Sequence, residues 1–187
     1  QSQINLCRMK RIILLFLALF LSISPSLAQK NRSDRRDSIK ATRVLEDKLR
    51  HEQAIDALNK KAFVLKVDRR IYEKRSKTWG CDPNTNFVLL NGNEAIVQIN
   101  DPKPQNCDTF KGNASDFKTV TNKKGETTFE MKLKKGSFII FVKITLNKND
   151  NYCYARLSGR TYYPRFTITG RLYPLEDVGV FIGIDNR

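Results

Sequence analysis

Histidine is almost missing from this chain: His51 is the only one in 187 residues. It falls between Arg50 and Glu52 on the polar side of a helical pattern. No serine or cysteine can be set beside it with any specificity, so a Ser-His-Asp or Cys-His arrangement finds no support. Carboxylates are few, 19 against 34 Lys and Arg, and no two are identifiable as a general acid and base. Metal-binding patterns are missing as well. Asp82-Pro83-Asn84-Thr85-Asn86 begins like a calcium loop, but Phe87 stands where glycine is required and Asn93 where the bidentate Glu belongs, so the stretch reads as a turn. No catalytic, cofactor-binding or metal-binding residue is assigned, and the chain is expected not to be an enzyme. Internal repeats are also absent.

The longest apolar run, from Ile12 to Ile23, is shorter than the ~20 residues that cross a bilayer as a helix. Met9-Lys10-Arg11 precedes it, and Pro25-Ser26-Leu27-Ala28 follows. A short basic segment, an apolar core and a small-residue site form the layout of a secretory signal peptide, with cleavage expected between Ala28 and Gln29. No cysteine follows the run to carry a lipid anchor. Residues 1–28 are therefore expected to be an upstream extension plus signal peptide, 29–37 a flexible leader, and 38–187 a single domain without a transmembrane span. The expected location is periplasmic or secreted. The 159 residues after the cleavage point are enough for one domain with a core of its own.

Three cysteines lie beyond that point. An exported compartment permits a disulfide. Cys81 and Cys107 both occupy loop-like segments, GCDP and DPKPQNCD, and form the candidate pair; such a bridge would contribute about 3–4 kcal/mol in the chain-entropy model. Three free thiols are the alternative. Cys153 alternates with Ala155 and Leu157 and reads as a small buried hydrophobe.

Apolar periodicity divides the rest. Val44, Leu45, Leu49, Ile55, Leu58 and Ala62 recur at three-to-four spacing, predicting a helix over about 39–60 with Ser38 as its N-cap. Everything later alternates with period two. Asn91-Gly92 and Asn122–Gly125 supply hairpin turns. About eight strands follow one another through short turns. The fold class is mainly β (α+β): an N-terminal helix, then an antiparallel meander closing into a barrel-like, lipocalin-like sheet, which removes exposed edges. The expected inner wall comprises Phe129, Met131 and Leu133, then Phe138, Ile140, Val142, Ile144 and Leu146, then Phe166 and Ile168. Ile139 and Phe141 point outward and need cover, for which the helix is the expected lid. Tyr162-Tyr163-Pro164 is expected to cover one end. A filled interior and a ligand cavity look alike at this level.

The net charge is +15, and beyond the cleavage point most of the excess lies between Lys30 and Lys77. Such a balance favours encounters with acidic partners. Outside the cytoplasm these are anionic lipid headgroups, acidic glycans and acidic proteins. Nucleic acid is set aside because of the export signal and the missing Gly-aromatic strand signature. Two partners are thus expected: an apolar small molecule in the barrel, or an acidic envelope component on the basic helical face. A solid structural barrel is the alternative.

AIDALNKKAFVLKVDRRIYEKR, NTNFVLLNGNEAIVQI, KKGETTFEMKLKKGSFIIFVKITL and FTITGRLYPLEDVGVFIG together resemble a family of secreted Bacteroides-type proteins, domain of unknown function 4251. The strongest markers are Phe63-Val64-Leu65, Asn84-x-Asn86-Phe87 and Gly170-x-Leu172-x-Pro174-Leu175. The resemblance implies an exported protein with a leading helix and a β-rich body. It supplies no functional residue. The two-proline loop at 101–108 departs from the family pattern. Asp37-Ser38-Ile39 is similar to the O-glycosylation tripeptide of such bacteria.

Overall fold

The structure, a computed structural model, describes residues 24–72, 77–100, 107–159, 166–180 and 182. Two compact units divide the chain, Gln1–Leu45 and Glu46–Arg187.

In the first unit the described backbone is helical throughout, forming the upstream part of α1 (Ser24–Lys60). Pro25 lies in the first turn, where its missing N–H is not needed. From Ser26 to Lys60 there is neither glycine nor proline, and Leu, Ala, Gln, Lys and Arg are good helix formers. The helix therefore starts well before Ser38. Residues 29–37, expected as a flexible leader, are helical, and so is the backbone at Ala28 and Gln29. Ser38 caps nothing: its hydroxyl lies 3.4 Å from the Arg35 carbonyl oxygen, and its own carbonyl accepts from Thr42 Oγ1 at 3.0 Å. Val44 and Leu45, expected on a buried stripe, are exposed.

The second unit holds the end of α1 and nine antiparallel strands: β1 (Ala62–Tyr72), β2 (Lys77–Gly80), β3 (Phe87–Asn91), β4 (Glu94–Asn100), β5 (Cys107–Thr121), β6 (Thr127–Lys135), β7 (Phe138–Leu146), β8 (Tyr152–Gly159) and β9 (Phe166–Pro174). Strands β3 to β9 pair in sequence. β1 pairs with β3 on one side and β9 on the other, closing an eight-stranded barrel. β2 is additional. It pairs with Arg69–Tyr72 of β1, while β3 pairs with Ala62–Lys66 on the same edge. β2 and β3 are thus one interrupted strand, with residues 81–86 as an excursion between them. Cys81 N donates to Asp68 O at 2.8 Å and Val67 N to Asn86 O at 2.9 Å, which fixes both feet of the excursion.

The interior is lined by alternate residues of every barrel strand, as period-two patterning requires. Phe129, Met131, Leu133, Ile140, Val142, Ile144, Leu146 and Ile168 are buried in one continuous core with Phe63, Leu65, Leu90 and Leu157. Phe63 and Phe129 meet edge to face, with ring centroids 5.5 Å apart. The last turns of α1 contribute Ala54, Ala57 and Leu58 to the same core. At the end of the helix Lys61 takes a left-handed conformation (φ 55°). Its N–H reaches Leu58 O, and its carbonyl accepts from Gly92 N at 2.8 Å, locking the helix to the β3–β4 hairpin. His51 Nδ1 lies 3.0 Å from Asp150 O in the β7–β8 turn.

The expectations for two residues change here. Phe138 is 48% exposed and is not part of the inner wall, because it sits at the β6–β7 turn, beyond the rim of the barrel. The helix does not act as a lid over Phe141, which is 44% exposed; its buried residues join the interior instead. Phe166 is at the start of β9, but its side chain is outside the described residues, as are Tyr162-Tyr163-Pro164.

Candidate interaction surface on the outer wall

Phe63, Leu65, Leu90, Leu133, Ile144, Leu146 and Leu157 show no exposed surface at all, so not even a water-sized void touches them. Among the described residues these inward side chains pack against one another, as an eight-stranded barrel permits.

Function must then be sought on the outward rows, and these fall into two regions. Over β1, β3 and β4 the wall is covered by the chain itself. Val64 and Phe87 point away from the core yet are fully buried, and the 3-10 turn Leu175–Asp177 packs against β1 and β3. The 81–86 excursion is held by buried polar groups. Gln98 Nε2 donates to Thr85 O (2.9 Å), Thr109 Oγ1 donates to Gln98 Oε1 (3.0 Å), and Asn100 N donates to Asn86 Oδ1 (2.7 Å). These bonds satisfy groups that would otherwise be costly to bury.

Over β5 to β8 the wall is largely open. The register lines up Lys118, Glu130, Lys143 and Arg156 in one row across four strands. A second row runs Ser115, Lys132, Phe141, Ser158, and a third Val120, Thr128, Thr145, Tyr154. Val120, Phe141 and Tyr154 are 49%, 44% and 48% exposed. Six cations, Lys111, Lys118, Lys132, Lys134, Lys143 and Arg156, face two carboxylates, Asp116 and Glu130. Both carboxylates are engaged: Glu130 with Lys143 at 2.8 Å, and Asp116 with Lys132 at 3.3 Å. The hydrogen bond from Lys143 holds the Glu130 carboxyl below its ordinary pKa. An open groove of about 220 Å³ is lined by Lys118, Val120, Thr128, Glu130 and Lys143.

The helix, expected as the basic face, carries nine cations against six carboxylates over Ser24–Lys60, and Lys40, Lys48, Arg50 and Lys60 each lie near an acid one turn away.

A polar cluster marks the bulge in β1. The register between β1 and β9 slips between Val67 and Arg69, leaving Asp68 unpaired in the ladder. Tyr152 Oη donates to Thr169 Oγ1 (2.9 Å), which donates to Asp68 Oδ1 (2.9 Å). Alongside it, Asn151 Nδ2 donates to Leu172 O, and Asn151 Oδ1 accepts from Arg171, both at 2.9 Å. These groups satisfy one another and bind the β7–β8 turn to β9. No sequence pattern pointed to them.

Cys81 is a free, half-buried thiol packed against the core, and burial pushes its pKa up, partly offset by Arg70. Its candidate partner Cys107 begins β5 opposite Asn100, but that side chain is outside the described residues. Cys153 is free and fully buried, and burial raises its pKa strongly. Among the described residues no group of three or more His, Cys, Asp or Glu is placed to hold a metal ion.

The model of the family described as Domain of unknown function (DUF4251) matches residues 46–172. The chain is also similar to a solved structure, the crystal structure of a DUF4251 family protein from Bacteroides eggerthii DSM 20697. The two are 26% identical, the likeness covers 72% of this chain and 94% of that one, and the TM-score is 0.64. Comparison with curated proteins finds no match.

Proposed function

We propose that this chain, which belongs to the DUF4251 family, is an exported, non-enzymatic binding module that meets an acidic partner on the outside of its barrel. The observation that carries this reading is the contrast between a filled interior and an open wall, where cations alternate with half-exposed Phe141, Tyr154 and Val120. Close packing among the described inward residues weighs against a cleft for an apolar small molecule. Export is supported by the basic, apolar and small-residue sequence of Met9–Ala28. Within the described residues no helix is long and apolar enough to cross a membrane. The non-enzymatic part rests on the single histidine, whose Nδ1 contacts a backbone carbonyl, and on the scattered carboxylates. A solid structural barrel of the envelope is the second reading, favoured by the same packing.

Retention on a carboxylated polyanion resin tests the proposal. Reversing Lys118, Lys132, Lys143 and Arg156 to Glu changes the net charge as much as reversing Lys40, Arg43, Lys48 and Arg50. The wall variant should elute at much lower salt than the helix variant. Equal elution would show that total charge alone governs binding, and would remove the wall from the account.

A further inference from the structure

The β6–β7 hairpin separates two kinds of side chain by strand. Across its pairs stand Lys132 and Phe141, Lys134 and Ile139, Lys135 and Phe138. β6 supplies a cation at each of these positions and β7 an apolar group. Phe138 and Phe141 are about half exposed, and Ile139 is partly exposed. Side chains alternate across a strand, so Phe138 and Lys135 lie on one side of the hairpin while Ile139, Phe141, Lys132 and Lys134 lie on the other. Gly136, at φ 57°, closes the turn in two residues and leaves the tip narrow. Asp116, the carboxylate placed nearby, is paired with Lys132.

We propose that this hairpin tip docks the protein onto an anionic lipid surface. The inference rests on the acidic-partner reading above and specifies the partner and the point of contact. A soluble acidic glycan or peptide lying along one side of the hairpin would meet Lys132 and Lys134 but not Lys135. It would leave apolar groups on the opposite side of the tip in water. A bilayer boundary meets both sides of a narrow tip at once. The rings enter the headgroup region while the flexible lysine stems carry their charges up to the phosphates. Each lysine held near such a surface contributes about a five-fold gain in affinity, lost as salt screens it. Burial of apolar surface adds a component that salt does not remove.

Co-sedimentation of the full chain with phosphatidylglycerol-containing vesicles, and with neutral phosphatidylcholine vesicles, tests the inference. Binding to the anionic vesicles should exceed binding to the neutral ones and weaken with salt. The double variant Phe138→Ser/Phe141→Ser should lose about ten-fold in vesicle affinity while keeping its thermal midpoint and its elution salt on the polyanion resin. Lys134→Gln should lose about five-fold. Polyanion retention without vesicle binding would overturn the lipid inference and leave the acidic-partner reading standing. Loss of both would overturn both. Vesicle binding unchanged by the two Phe substitutions would also sink the inference, since the attraction would then be charge alone.

Discussion

At the scale of single residues, Gly170 shows how closely the chain passes itself. It faces inward opposite Val67, beside the β1 bulge. A methyl group on its α-carbon would overlap the backbone carbonyl of Lys66, which cannot move without breaking the ladder. Gly170→Ala should therefore destabilise the fold by about 3 kcal/mol or more, at the upper end for overpacked sites. Gly80 has open space around the same position, so Gly80→Ala should stay within about 1 kcal/mol of the parent. Urea unfolding of both variants checks this, and similar midpoints would count against the close approach. Gly170 was quoted in the sequence as a family marker. Its reason for being glycine is a contact with a strand just over a hundred residues earlier, which local pattern cannot show. Phe138 was misread for a related reason. Alternation gives it the same parity as Ile140, but parity says nothing about where the barrel rim lies.

At the scale of elements, the end of the helix is structural in a way that its middle is not. Leu58 is buried with the barrel core, whereas Leu49, two and a half turns earlier and so on the opposite face of the helix, is 56% exposed. Leu58→Ala should cost about 2–5 kcal/mol, and Leu49→Ala no more than about 0.5 kcal/mol. Thermal or chemical unfolding distinguishes them, and equal costs would mean that both faces of the helix are packed. The sequence identifies this helix from its periodicity but places its start too late, because Ser38 reads as an N-cap and residues 29–37 carry no apolar periodicity. Strands with strong alternation, β6 to β9, were readable for the opposite reason: one face packs and the other is wet. β5 begins at Cys107, and its inward residues there are Phe110, Gly112 and Ala114. Two of these are small, so they carry little hydrophobic signal. β2 is four residues long with no alternation to read.

At the scale of the molecule, a closed barrel resolves the double appearance of the β6–β7 segment. Its even-numbered residues from Ile140 to Leu146 supply core, and its odd-numbered ones face the open wall. The architecture was legible because closure needs little more than eight alternating strands joined by tight turns. The state of the interior was not, since a filled core and a ligand cavity use the same residue types. Only part of the basic surface was legible. Counting along the chain points to the N-terminal segment, where the helix holds nine cations against six carboxylates. The strand register gathers Lys118, Lys132, Lys143 and Arg156 from four separate strands onto one wall.

Native mass spectrometry of the protein isolated from its own source cells at high salt tests most directly whether the interior is filled. The account predicts the bare mass of the polypeptide, with no apolar small molecule retained. A stoichiometric apolar ligand that survives high salt and leaves only on unfolding would contradict it, and would move the site from the wall to the inside of the barrel.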